Sequence, residues 1–190
     1  MSMSSSPSPD LSERIAQLEA REAIRDLVAR YGMAVDDRDI DAVADMFTSD
    51  AEFGLADGMV SNQGRQAVID FYTERLTAFG ATYHYPHSHL IELDPDRPDH
   101  ATGTVNAHAE LALDGRTLVT ALRYDDRYRV EDGCWRFVER KVAMLYYMDM
   151  AELVDGGLCE PDRKRYFGTV GPSELPESLD TWRRFFAEAG

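Results

Sequence analysis

The chain has 190 residues, 44% of them hydrophobic, which suits one domain with a filled core. Thirty-five acidic residues against 20 basic ones give a formal net charge of −15, and this argues against nucleic acid and anionic membranes as partners, since both need a basic footprint. No stretch approaches the roughly 20 apolar residues of a membrane span and the opening carries no apolar signal core, so a cytoplasmic location is the expectation.

Residues 1–10 are rich in Ser and Pro and read as a disordered leader. Asp10 or Ser12 then caps a helix whose apolar positions, Leu11, Ile15, Leu18, Ile24, Leu27, Val28 and Tyr31, recur mostly every three or four residues. The cluster Asp36-Asp37-Arg38-Asp39 breaks that pattern, and Asp39 is the N-cap expected for a short second helix carrying Ile40, Val43, Ala44 and Phe47. Short strand material is expected around 51–55 and 59–61. A third helix is predicted from Gln66 to Phe79, bracketed by Gly64 and Gly80.

After Gly80 the texture changes to strands. Four are predicted: Thr82 to Leu93, Ala101 to Leu113, Leu118 to Val130 and Trp135 to about Tyr147. Asp114-Gly115 is a two-residue hairpin signal, so consecutive long strands form an antiparallel meander. Helices first and a curved antiparallel sheet after them make an α+β domain over residues 11–150. Residues 151–190 form a Gly-, Pro- and charge-rich extension, ending in a short helix with Leu179, Trp182, Phe185 and Phe186 that is expected to pack on the domain or on a neighbouring subunit. Cys134 and Cys159 lack metal-ligand spacing, and Cys134 falls in an apolar strand pattern that predicts a small buried hydrophobe.

Three residues carry chemistry. Asp36 closes the first helix, where the negative end of the helix dipole disfavours a carboxylate unless a cation or proton donor compensates it. His84 opens the first long strand, and Tyr31 lies on the apolar stripe of the helix. A carboxylate that orients an imidazole, with a phenol nearby, can remove a proton next to a carbonyl without a metal or cofactor. Five residues of ideal helix turn Tyr31 and Asp36 about 140° apart, so the two converge only if the helix end crosses the cavity mouth or loosens. Strand alternation sends His84 to one face and His87 and His89 to the other, unless Pro86 introduces a bulge. Two histidines at i and i+2 can also bind a metal, but no third ligand has recognisable spacing.

With these residues in place, the order of elements resembles the cone of nuclear transport factor 2 and ketosteroid isomerase. The chain is most similar to the SnoaL-like branch that contains scytalone dehydratase, bile-acid 7α-dehydratase and lindane dehydrochlorinase. The resemblance covers roughly residues 11–150. It rests on Leu18-Glu19-Ala20-Arg21-Glu22-Ala23-Ile24 leading to Tyr31, on Val35-Asp36-Asp37-Arg38-Asp39, on Phe47-Thr48-Ser49-Asp50-Ala51-Glu52-Phe53, on the histidine strand closing in Leu90-Ile91-Glu92-Leu93-Asp94, and on Asp132-Gly133-Cys134-Trp135-Arg136-Phe137.

In those lyases an aspartate at the end of the first helix holds a histidine that acts as the base, and Asp36 and His84 match them in spacing. Tyr31 matches a tyrosine five residues before the aspartate in the bile-acid dehydratase. Scytalone dehydratase has a further tyrosine directly before its aspartate; here that position is Val35, a departure from the scytalone pattern. The resemblance implies a lyase, a dehydratase-type elimination on a small hydrophobic carbonyl compound such as a polyketide, steroid or terpenoid. An isomerase or cyclase using the same proton abstraction, or a non-catalytic small-molecule-binding protein, are the alternatives. Asn106, His108, Tyr146 and Phe53 are the candidate substrate-binding residues. A homo-oligomer is implied, a trimer by the dehydratase branch and a dimer by others.

Overall fold

The structure, a computed structural model, describes residues 10–166 and 168–188. The predicted leader lies outside the described residues except for Asp10, whose carboxylate accepts a hydrogen bond from the Glu13 backbone and caps α1 (Leu11–Asp37). Asp39 caps α2 (Ile40–Asp45) in the same way through the Ala42 N–H, and α3 (Arg65–Ala78) starts after Gly64. The apolar spacing of α1 is borne out in its second half, where Ile24, Leu27, Val28, Tyr31 and Val35 are buried. Leu11, Ile15 and Leu18, in its first turns, stay exposed.

Between α2 and α3 lie β1 (Phe47–Leu55) and β2 (Ser61–Gln63). The long strands are β3 (Thr82–Leu93), β4 (His100–Leu113), β5 (Arg116–Glu131) and β6 (Cys134–Asp149). They form the antiparallel meander that the turn signals predict. Asp114 and Gly115 take φ of 51° and 73°, and Asp132 and Gly133 take 53° and 77°. Both turns therefore have two consecutive left-handed residues, the geometry that matches strand twist in a two-residue hairpin.

The sheet is mixed rather than purely antiparallel. Its order is β2-β1-β6-β5-β4-β3, and β1 pairs parallel with β6. Beyond the meander come α4 (Met150–Val154), a 3-10 turn at Gly157–Cys159, β7 (Lys164–Tyr166), β8 (Thr169–Gly171) and α5 (Asp180–Glu188). β7 also joins β6 in parallel, through Tyr147 and Lys164. Irregularities in register between Pro86 and His89, between Ala121 and Leu122, and between Arg127 and Tyr128 bend the long strands around the helices. The result is an α+β cone whose inner surface faces α1 and α3.

One sequence expectation fails locally. Cys134 is exposed, because it is the first residue after the Asp132-Gly133 turn and the apolar run buries only from Phe137 onward. α5 buries none of its residues in the single chain, and Phe185 and Phe186 are more than half exposed. No helix of the described residues is long and apolar enough to cross a membrane.

Candidate active site

Asp36 lies in the last turn of α1, and β3 runs past that turn with Thr82 and His84 facing it. The Asp36 Oδ1 atom lies 2.6 Å from His84 Nδ1 and accepts a hydrogen bond from Thr82 Oγ1 at 2.9 Å. Its Oδ2 accepts from the His84 backbone N–H at 2.7 Å. One carboxylate therefore fixes both the ring and the backbone of the same histidine. With Nδ1 engaged by the carboxylate, Nε2 is the nitrogen left to take a proton. Burial pushes the Asp36 carboxyl up, but the hydrogen bonds from His84 and Thr82 and the histidine's charge outweigh it and hold the group below its ordinary value.

Arg38 completes the arrangement. It takes the left-handed conformation that ends α1, with φ of 63°, and its guanidinium donates to the carbonyls of Val35 and Asp36 and to Thr82 Oγ1 at 2.7 Å. A cation on the helix's last carbonyls offsets the unfavourable end of the dipole next to Asp36. Gly32 lets the helix approach the strand this closely: a Cβ there would sit 3.3 Å from the His84 carbonyl oxygen.

His84 opens onto a cavity between α1, α3 and the inner sheet, with an empty volume of about 710 Å³ including its open mouth. Tyr31, Tyr72 and Tyr124 contribute phenols to its wall; Phe53, Leu122, Val142 and Met144 are among its apolar lining. The Tyr31 and Tyr72 hydroxyls are hydrogen-bonded to each other. Burial raises the pKa of Tyr31, while the Arg140 charge and the Tyr72 hydroxyl pull it partly back. The phenol therefore stays protonated near neutral pH and is a donor.

Arg140 holds that corner of the core. It is fully buried in a two-point pair with Asp126, at 2.9 and 2.7 Å, and its guanidinium carbon lies 4.2 Å from the ring centroid of Tyr31 and 4.0 Å from that of Tyr124. Asp126 also accepts from the Tyr128 hydroxyl, which lies 3.2 Å from His89 Nε2.

The structure brings Tyr31, His84 and Phe53 to one cavity, with Asp36 directly behind His84. The rotation of about 140° between Tyr31 and Asp36 is kept: Tyr31 faces the cavity, and Asp36 turns toward β3 and contacts the histidine from behind. Asn106 and His108 are not in the lining. Ala107, Ala109 and Leu111 take the inner face of β4, and strand alternation puts the polar set outside. There Asn106 donates to Ser88 Oγ, and His108 stacks between Tyr85 and His87.

Tyr146 also misses the cavity, whereas its neighbour Tyr147 lines it. Leu145 has no partner in the β5–β6 register, and that extra residue shifts the alternation by one. A similar slip after Pro86 leaves His87 on the outer face and carries His89 back to the inner side with His84. Among the described residues, no three His, Cys, Asp or Glu side chains are grouped as metal ligands. Thr82, Tyr72, Arg38 and Arg140 belong to the site without standing out as site residues in the sequence. Arg38 had a signal, a basic residue at a helix end beside a costly aspartate; Arg140 had none, because a buried arginine is recognised only through its partner fourteen residues earlier.

A helical layer lies against a curved sheet, with His84 in the wall of an apolar cavity and Asp36 directly behind it. The model of the SnoaL-like domain family matches residues 16–141, and the chain belongs to that family. It is 26% identical over 136 residues to the gamma-hexachlorocyclohexane dehydrochlorinase of Sphingobium indicum, covering 71% of this chain and 86% of that protein. The crystal structure of LinA superposes with a TM-score of 0.67 at 25% identity, over 73% of this chain and 94% of that one. An NTF2-like protein with a cystatin-like fold from Novosphingobium aromaticivorans superposes with a TM-score of 0.57 at 27% identity, over 73% and 92%. The fold is thus that of the NTF2-like superfamily, and the chain's distant relatives include lyases of the dehydrochlorinase type.

Proposed function

We propose that this chain is a cofactor-independent lyase that eliminates water from a small hydrophobic carbonyl compound, with His84 as the base. The observation that carries the reading is the pair of contacts from Asp36 to His84, one to the ring and one to the backbone, with His84 in the wall of a phenol-lined apolar cavity. His84 Nε2 takes the proton α to the carbonyl. The C–H electron pair moves into the new carbon–carbon double bond of an enolate, whose oxygen accepts a hydrogen bond from Tyr31. The enolate re-forms the carbonyl and expels the β-hydroxyl, which leaves as water with the proton that His84 carried. Asp36 stabilises the imidazolium between the two transfers. The mainly apolar wall favours a flat hydrophobic substrate of the polyketide, steroid or terpenoid kind.

A second reading is loss of hydrogen halide by the same base, which the dehydrochlorinase relatives favour. A panel of bicyclic β-hydroxy ketones and their β-chloro counterparts separates the two: enone absorbance reports elimination, and chloride release reports the halide arm. We expect enone from the hydroxy ketones, and His84→Ala to lower kcat by about 10²–10⁴ with the circular dichroism unchanged. Near wild-type turnover in His84→Ala would sink the mechanism. Product formed with no loss of water or halide would favour the isomerase or cyclase chemistry instead.

A further inference from the structure

The paired strands carry a continuous row from the base to the C-terminal extension. His84 is opposite Ala109, Ala109 opposite Thr120, Thr120 opposite Tyr147, and Tyr147 opposite Lys164 of β7. Strands stand about 4.8 Å apart, so this row covers about 19 Å along the curved sheet. His84 on β3 and Tyr166, two residues past Lys164 on β7, both line the cavity, and the row separates their strands. β7 lies outside the stretch matched by the family model, which ends at residue 141.

The wall around Tyr166 is chemically distinct. Tyr147 and Tyr166 meet edge to face with ring centroids 5.2 Å apart. The Arg75 guanidinium, from α3, also lines the cavity and lies 5.3 Å from the Tyr166 centroid and 5.0 Å from that of Phe79. The segment bearing Tyr166 is held firmly. Lys164 is buried and reaches two carboxylates, Asp57 at 2.6 Å and Glu174, while Glu174 also accepts the Met144 backbone N–H at 2.7 Å. Arg163 pairs with Glu177 at 2.7 Å, and Leu175 is buried beside it. The extension is thereby tied both to the loop after β1 and to β6.

We propose that Tyr166 and Arg75 are specificity-determining residues, forming an end wall that selects elongated aromatic substrates bearing an anionic oxygen, a carboxylate or phenolate, at the end remote from the reacting carbons. The rings of Tyr147 and Tyr166 pack on the distal ring of the substrate, and the guanidinium takes its oxygen. In a chain of net charge −15, a cation at the cavity wall is what allows an anionic ligand to bind there at all. This deepens the lyase reading and takes from it only the end of the cavity at which bonds break.

Binding of two probes of equal size tests the idea without turnover: 2-naphthoate and neutral 2-acetylnaphthalene, titrated calorimetrically into the full chain. Arg75→Gln should weaken 2-naphthoate at least tenfold and leave 2-acetylnaphthalene within about twofold. Tyr166→Ala should weaken both, and Tyr166→Phe, which keeps the ring, should restore most of the loss. Thermal melts of each variant show whether the fold is retained. Unchanged 2-naphthoate affinity in Arg75→Gln and Tyr166→Ala, equal losses of both probes in Arg75→Gln, or no saturable binding to the wild type would overturn the proposal. Because no reaction is measured, failure of the elimination chemistry would leave this result standing, and the converse holds.

Discussion

Asp36 is a residue whose cost and use are the same fact. At a helix C-terminus a carboxylate is unfavourable, and here it is retained by three hydrogen bonds, two of them from His84. Asp36→Asn keeps the shape but can present its amide nitrogen to His84 Nδ1, which would leave the wrong tautomer. We expect kcat to fall by two orders of magnitude or more, with KM changed far less, in steady-state kinetics. The dyad is legible through the spacing of Asp36 and His84, which matches the pattern of the lyases the chain resembles; the cost of an acid at a helix end by itself points only to some compensating donor. The partners of Tyr31 were not legible. Tyr72 lies 41 residues away and Arg140 comes from the last long strand, and no local pattern announces either contact.

The elements were read well where local chemistry decides them. Asp10, Asp39, Asp114-Gly115 and Asp132-Gly133 mark helix starts and hairpins through side-chain capping and left-handed backbone, and the structure uses all four. Facing was read poorly wherever a bulge intervenes. Tyr146 and Tyr147 exchange roles because of one extra residue at Leu145, and His89 changes side because of the slip after Pro86. Asn106 and His108 went outward for a simpler reason: the small apolar residues of β4 are what fit under the helices.

Close packing at this scale is testable. A Cβ on Gly103 would meet Tyr128 at 2.8 Å and His89 Nε2 at 3.0 Å, so Gly103→Ala should destabilise the protein by about 1–3 kcal/mol in urea unfolding. Arg140→Met leaves the buried Asp126 carboxyl without its guanidinium partner, and it should cost about 3–5 kcal/mol, with much of that recovered in Arg140→Met/Asp126→Leu.

For the whole molecule, acid sensitivity follows from the depressed carboxylates. Asp50, hydrogen-bonded to Arg129, is held down to about 2, and Asp36 also lies below its ordinary value. A folded-state pKa below the unfolded one means that the unfolded chain binds the proton more readily. The stabilisation is therefore complete above the ordinary value of 3.8 and is lost as pH falls through the lowered one. Stability should thus fall between about pH 4 and pH 2, and the Asp36→Asn/Asp50→Asn double variant should show a flatter profile over that window in chemical denaturation.

At the same scale, the cone could be anticipated from helices followed by a meander, but the joining of β7 to β6 could not. That contact is a three-residue parallel strand fixed by the Lys164 ion pairs, and its sequence has neither length nor alternation to reveal it. Lys164→Ala should accelerate proteolytic cleavage within 160–179 while leaving residues 11–149 protected.

The central claim is that the Asp36–His84 pair removes a proton next to a carbonyl inside the cavity, and α-deuterium exchange measures that step alone. A bicyclic ketone such as 2-tetralone, incubated with the protein in D2O and followed by proton NMR, should lose its α-proton signal at least 100-fold faster with the wild type than with folded His84→Gln. Equal exchange rates for the two proteins would contradict the account.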